Sequence, residues 1–480
     1  MSGALGRIRN NVLSLTVMRL AGAGFTFVLF WVIARHAGPK VLGEYSTVLT
    51  VFLFAQQFPL LGLHLLLIRD VAADPAQGGR WIATSLRIAL SVALMLATAL
   101  AIAGTWAFDG HLRTPLLLVG LSMIPTAVTL VAESVLTAVQ NLRRVAIVNV
   151  VEASYRLVST LALLWSGFGL DAWLAAFLLG RLLSAGAYWS GSIGQHVAWR
   201  PARDLPSVGR YLREAPVFLA ILASSAAIAR LDVLLLSWIA SFGAVGQYAV
   251  AAKAFELAGM ASSILLAAIY PALVAVHAHN PPRLRLIAES VLRWLLALGL
   301  PLAAVAGFVA EPVVRLLFGE QFGVSALVIP WLLFAAMLFA SSQIIGTVFL
   351  VEDAQGLDLA SLLSGCVALV VLLLVWGRSH GALGAGWAVC GAHLLQLGVR
   401  LLLLSRRWAT RTPIIAALEP ASAFVAAVAA WWVLAAANEV VRLGVAACVY
   451  VFLLRVFGIA GRAGMARLRT ALQSGPSASR

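Results

Sequence analysis

Apolar residues run along this chain in long blocks, and each block ends in a short polar turn carrying Gly, Pro or Arg. The blocks lie near residues 11–34, 44–67, 81–107, 114–138, 145–167, 170–193, 214–238, 247–274, 288–310, 325–350, 357–377, 383–404, 413–436 and 441–458. Each is about 18 to 25 residues long, enough for a helix rising ~1.5 Å per residue to cross ~30 Å of hydrocarbon. Membrane strands need only about 10 residues, so the pattern predicts helices. In hydrocarbon no water is available to the backbone, and a helix satisfies its own polar groups within one segment. The expected fold is all-α: a polytopic membrane protein with about fourteen transmembrane helices.

Two of the polar turns resemble each other. Val32 to Val48 reads VIARHAGPKVLGEYSTV, and Trp238 to Val250 reads WIASFGAVGQYAV. In each, Gly and small residues turn the chain and a Gly-x-Tyr triplet opens the next block, as Gly43-Glu44-Tyr45 and Gly246-Gln247-Tyr248, 203 residues apart. The same offset carries Pro125 to within two residues of Pro330. A duplicated half is the expectation, and transporters built from repeats bind substrate where the halves meet.

Composition strengthens the membrane reading. Hydrophobic residues make up 62% of the 480 and charged residues 11%, against roughly 45 to 50% and about 25% in soluble domains. The first block follows Arg7 and Arg9, is about 24 residues long and lacks a cleavage site, so it is expected to remain as a span and not to act as a signal peptide. With the N-terminus inside, nineteen arginines fall in cytoplasmic segments and six basic residues on the opposite side. Short loops rich in Arg stay on the cytoplasmic side during insertion, so both termini are expected there. The net charge of +15 then reflects topology and anionic lipid, not nucleic acid.

Cys366, Cys390 and Cys448 lie far apart inside blocks, and no Walker loop, dinucleotide fingerprint or HExxH stretch occurs. No cofactor and no enzymatic activity are expected. The informative residues are charges inside the blocks: Arg19, Arg87, Arg156, Arg181, Arg230, Lys253, Arg293, Arg400 and Arg455, against the deep acids Glu133, Glu152, Asp232 and Glu256. A charge at the bilayer centre costs ~2.5 to 3.5 kcal/mol on insertion scales, so a basic surplus marks a hydrated cavity. Arg293, Arg400 and Arg455 lie near cytoplasmic ends and are expected to snorkel to headgroups. The candidates for an anion-binding path are therefore Arg19, Arg156, Arg181, Arg230 and Lys253, with Asp232 as a candidate for ion coupling. Glu152 and Arg156, four apart, and Lys253 and Glu256, three apart, have the spacing of local pairs, whereas Arg181 and Arg230 lack an acid at helical spacing. Pro59, Pro125, Pro271, Pro301 and Pro330 are expected to bend their helices.

Several segments carry a family resemblance. They are ARHAGPKVLGEYS after the first block, IRD at Ile68 to Asp70, AESVLTAVQNLRRVAIVNVVEASYRLV across the fourth and fifth, ARLDVLLLSW followed by VGQYAVAAK, and PVVRLLFGEQF. In order and spacing the set resembles the polysaccharide (oligosaccharide-lipid) flippases of the multidrug/oligosaccharidyl-lipid/polysaccharide exporter superfamily. The resemblance implies two six-helix lobes around a central cavity plus two C-terminal helices. Residues 1–193 would form the N-lobe, 194–213 a cytoplasmic linker, 214–404 the C-lobe, 405–458 the last two helices and 459–480 a basic cytoplasmic tail. It also implies transport of an undecaprenyl-pyrophosphate-linked oligosaccharide across the bacterial inner membrane by alternating access, for O-antigen or exopolysaccharide synthesis. Membrane lipids and polysaccharide polymerase or export machinery would be the partners. A drug exporter of the same superfamily would be expected to carry acids in its cavity, and a glycan polymerase or ligase a large periplasmic loop; a peptidoglycan-precursor flippase of the same superfamily is a further alternative.

Overall fold

The computed structural model describes residues 2–74, 78–190 and 230–460. The expected linker at 194–213, the first part of the seventh block and nearly all of the basic tail lie outside them. Among the described residues the secondary structure is helical throughout, and nine helices are long and apolar enough to cross a membrane. The protein is a multi-pass, all-α membrane protein. Large apolar side chains such as Leu94, Met95, Leu316 and Val433 lie 60 to 83% exposed, a surface that only lipid covers without cost.

The chain packs as two units, residues 1–246 and 247–480. In the first, α1 (Ser2–Ala55), α2 (His64–Ala73), α3 (Gly78–Trp106), α4 (Arg113–Ala138), α5 (Leu142–Trp165) and α6 (Leu170–Trp189) are followed by α7, described over residues 230–239. Helix α4 is the hub. It packs on α2, α3 and α6, while α1 packs on α5, and the apolar core gathers Phe52, Leu67, Ile82, Leu116, Met123 and Val131. Gly120 sets its backbone against that of Ala97 on α3, where a Cβ would come within 3.0 Å of the carbonyl oxygen. Small residues at helix crossings replace the hydrophobic drive that lipid cannot supply.

The first two predicted spans differ from expectation. Their polar turn contracts to a single non-helical residue, Gly38 (φ 78°, ψ 177°), so α1 is two helical segments joined at a kink. The second block is in turn divided, because helix stops at Ala55 and resumes at His64. Pro59 lies in this break, and Leu61 and Gly62 adopt positive φ. Pro125, Pro301 and Pro330 instead sit inside helices, each removing one backbone hydrogen bond.

At the repeated Gly-x-Tyr triplets, both helical in the structure, α1 meets the start of α8 (Phe242–His279) within the first unit. A Cβ on Gly43 would land on the carbonyl of Phe242, and one on Gly246 on the carbonyl of Pro39. Phe242 and Gly246 are Pro39 and Gly43 advanced by the 203-residue offset. The contact is therefore reciprocal, and only glycine fits at either position.

The second unit continues with α9 (Pro281–Phe318), α10 (Gly323–Val351), α11 (Gln355–Leu372), α12 (Arg378–Trp408), α13 (Thr412–Val433) and α14 (Glu439–Val456). Asn280 and Asn438 cap α9 and α14 by accepting backbone N–H bonds. Helix α10 packs on α9 and α12, α11 lies on α12, and α13 joins α9 to α14. A π-helical turn, Leu373–Gly377, connects α11 to α12, and the non-helical Gly381 (φ 55°) kinks α12 near its start.

Candidate functional site

Two adjacent arginines dominate the interior of the first unit. Arg181 on α6 reaches Glu152 on α5 through Nη1, at 3.0 and 3.1 Å to the two carboxylate oxygens. Its Nε donates to Thr126 Oγ1 at 3.1 Å and its Nη2 to Thr129 Oγ1 at 2.9 Å, both on α4. Ser184, one turn beyond Arg181, donates to Glu152 at 2.7 Å. The spacings explain this convergence: 126 and 129, and 181 and 184, each share a helix face. Arg181 and Glu152 retain 14% and 10% side-chain exposure.

Arg156 extends the group. Its Nη2 donates to Thr26 Oγ1 on α1 at 3.0 Å, and its guanidinium stands 6.0 Å from the centre of the Phe177 ring. Arg181 stands 5.9 Å from Phe52, and the two rings meet edge to face at 4.8 Å. The order across the interior is Arg156, Phe177, Phe52, Arg181, with a cation–π contact at each end. Among the described residues no carboxylate pairs with Arg156. Toward the α4–α5 turn, Glu133 accepts from Tyr188 at 3.0 Å and from Asn149 at 3.1 Å.

These contacts correct the sequence reading in one respect. Arg181 does have an acid, reached across helices, and it takes the carboxylate that the i, i+4 spacing offered to Arg156. Arg19 lies on α1, where its side chain is not described. Arg230 and Asp232 lie on α7, half-buried, with Asp232 accepting the Val233 N–H at 2.8 Å. Lys253 pairs with Glu256 at 2.7 Å on α8, as their spacing predicts.

The second unit holds a network that the sequence reading placed elsewhere. Arg400, expected to snorkel, is 1% exposed. Its Nη2 pairs with Asp358 at 2.5 Å, Nη1 donates to Ser342 O and Oγ at 2.6 and 2.9 Å, and Nε donates to Ser361 Oγ at 2.9 Å. Gly346 makes room, since a Cβ there would lie 2.9 Å from Asp358 Oδ1 and 3.0 Å from Arg400 Cζ. Beside it, His393 contacts Gln396 at 3.2 Å and stacks on Phe255 at 5.7 Å. Arg293 likewise does not snorkel freely, being held by Glu419 at 2.7 Å and Glu289 at 3.5 Å. Arg455 is exposed. The acids Glu289, Asp358 and Glu419, outside the tally of deep charges, thus cancel part of the basic surplus.

The pattern of the family described as "Polysaccharide biosynthesis protein" matches residues 32–327. No curated protein matches by sequence. Among solved structures, "Lipid II flippase MurJ, inward closed conformation" is similar at TM-score 0.68 and 10% identity, covering 93% of this chain and 98% of its own. "Inward-facing conformation of a multidrug resistance MATE family transporter of the MOP superfamily" is similar at TM-score 0.63 and 14% identity, covering 83% and 98%. A "eukaryotic MATE transporter AtDTX14" is similar at TM-score 0.52 and 14% identity, covering 86% and 98%. At these identities the likeness establishes the fold.

Proposed function

This chain belongs to the polysaccharide biosynthesis protein family, and from that premise we propose that it flips a lipid-linked oligosaccharide repeat unit across the bacterial inner membrane. The unit is carried on undecaprenyl pyrophosphate, serves O-antigen or exopolysaccharide synthesis, and is passed to a polymerase or export system. Transport proceeds by alternating access between residues 1–193 and 214–404, with both termini cytoplasmic, and without covalent chemistry.

The observation that carries this reading is Arg156. A pyrophosphate entering an apolar slab loses its hydration, and fixed charge-assisted donors offset that loss. Arg156 has the planar fork that suits phosphate, a neutral threonine as its hydrogen-bond partner and an aromatic face that keeps it in place. Arg181, already held by Glu152, orders the neighbouring wall. Arg19, Arg230 and Lys253 extend the cationic path in this proposal, and Asp232 is its ion-coupling group.

Purified protein reconstituted in vesicles, with fluorescent undecaprenyl-pyrophosphate oligosaccharide and a membrane-impermeant quencher, tests the reading. The expected result is accelerated leaflet exchange, slowed about ten- to a hundredfold in Arg156→Gln, the loss of one charged hydrogen bond. Exchange confined to lipid II or to cationic drugs, or full exchange by Arg156→Gln, would overturn it.

A further inference from the structure

A cavity of about 350 Å³ opens in the first unit, where the α3–α4 and α5–α6 connections meet α1. Its polar wall is Glu44, His111 and Asp171, and its apolar wall is Pro115, Phe168 and Leu170. Glu44 is only 8% exposed and still lines the cavity. His111 Nε2 bonds one of its oxygens at 2.9 Å, and no described residue bonds the other. Opposite lies the start of α6, whose N-cap, Gly169, offers no side chain to the first backbone N–H groups. Phe168 is 56% exposed at the rim.

Each wall excludes a ligand class. Two carboxylates repel an anion, so the pyrophosphate sought by Arg156 has no place here. A simple cation meets the positive end of α6 and an imidazole already bonded to Glu44, and among the described residues no three His, Cys, Asp or Glu side chains converge to hold a metal. A hydroxyl group, donor and acceptor at once, satisfies both the carboxylates and the helix N–H groups. A ring with one apolar C–H face also covers an exposed aromatic side chain. We propose that this cavity is a binding site for one uncharged sugar ring, with Glu44 and Asp171 accepting its hydroxyl protons, the α6 N-terminus donating, and Phe168 stacking on its apolar face. Its volume sits at the small end of ligand pockets, roughly 300 to 1,000 Å³. That the ring belongs to the transported glycan rests on the flippase reading; the ligand chemistry does not. By the loop-charge orientation used above, the site faces the periplasm and meets the glycan as it emerges.

Saturation-transfer NMR on the full-length protein in detergent provides the test, with methyl glucoside, methyl galactoside and N-acetylglucosamine as probes and glucuronate as the anionic counterpart. The expected result is transfer to a neutral sugar, none to glucuronate, and a fall of about fivefold in Phe168→Ala, the size of one aromatic contact. Asp171→Asn should weaken binding as well, and Arg455→Gln, on an exposed helix end, should leave it unchanged. Absence of transfer to every neutral sugar, equal transfer to glucuronate, or undiminished transfer in both Phe168→Ala and Asp171→Asn would overturn the assignment. Since the measurement involves no leaflet exchange, failure of the flippase reading leaves its outcome untouched.

Discussion

Arg181 and Arg400 are bound by the same kinds of group, a carboxylate and hydroxyls from neighbouring helices, yet they stand in opposite relation to their surroundings. Arg400 is sealed at 1% exposure with its acid, two serines and a backbone carbonyl around it. Arg181 keeps 14% side-chain exposure and shares an aromatic pair with a second arginine that has no acid among the described residues. The first arrangement is charge-balanced around a sealed guanidinium, with Asp358 keeping 29% side-chain exposure; the second leaves a cation to spare. A buried ion pair is weak evidence of function, since its worth lies largely in not being broken. An arginine tied only to a hydroxyl and a ring is better placed to exchange its partner for a substrate.

The largest effect should come from breaking the closed network. Arg400→Met leaves Asp358 without its cation and is expected to cost about 3 to 5 kcal/mol of stability, read as a lowered thermal transition in detergent. Arg400→Met combined with Asp358→Leu should recover most of that loss and retain exchange per inserted molecule. A double variant as stable as wild type but inactive would transfer the functional role to the second unit. Next comes the open network: Arg156→Lys should restore part of the exchange lost in Arg156→Gln, the shortfall being about 1.5 to 3 kcal/mol of bidentate contact, with the thermal transition unchanged. A smaller change follows from Phe52→Leu, which removes the ring beside Arg181 and should slow exchange by about fivefold, near 1 kcal/mol. Arg455→Gln, on an exposed helix end, should alter neither quantity by more than about 0.5 kcal/mol. Comparable losses from Arg455→Gln and Arg156→Gln would erase the distinction between cavity and surface charge.

The helices were legible because hydrocarbon thickness imposes a length on every apolar block. The placement of Gly38 was less so: a glycine before a proline signals a turn, but nothing local says that one residue suffices where nine separate the two blocks. Glu152 illustrates a deeper limit. Its i, i+4 neighbour Arg156 was the visible partner, and the observed one, Arg181, lies on another helix, where only packing of α5 on α6 brings it near. Arg400 did leave a trace that the count of residues from the membrane edge concealed. His393, Gln396 and Arg400 follow at intervals of three and four, a polar stripe on one face, and all three are buried at 9% exposure or less. Depth in the bilayer and burial in the protein are separate coordinates, and hydropathy reports only the first.

Gly346 gives the closed network a history as well as a shape. The arginine that fills its missing side chain is held by hydrogen bonds from both terminal nitrogens and from Nε, so it has no slack to yield to a methyl group 3.0 Å away. Gly346→Ala should therefore be harmful in this chain and mild in one where position 400 has already been shortened, a sign that depends on background. A lineage can abandon the arginine first and fill the glycine later, but the reverse order passes through a damaged protein. Descendants that carry a larger residue at 346 are then expected to have lost Arg400 before acquiring it, which makes the pair a record of the order in which substitutions occurred.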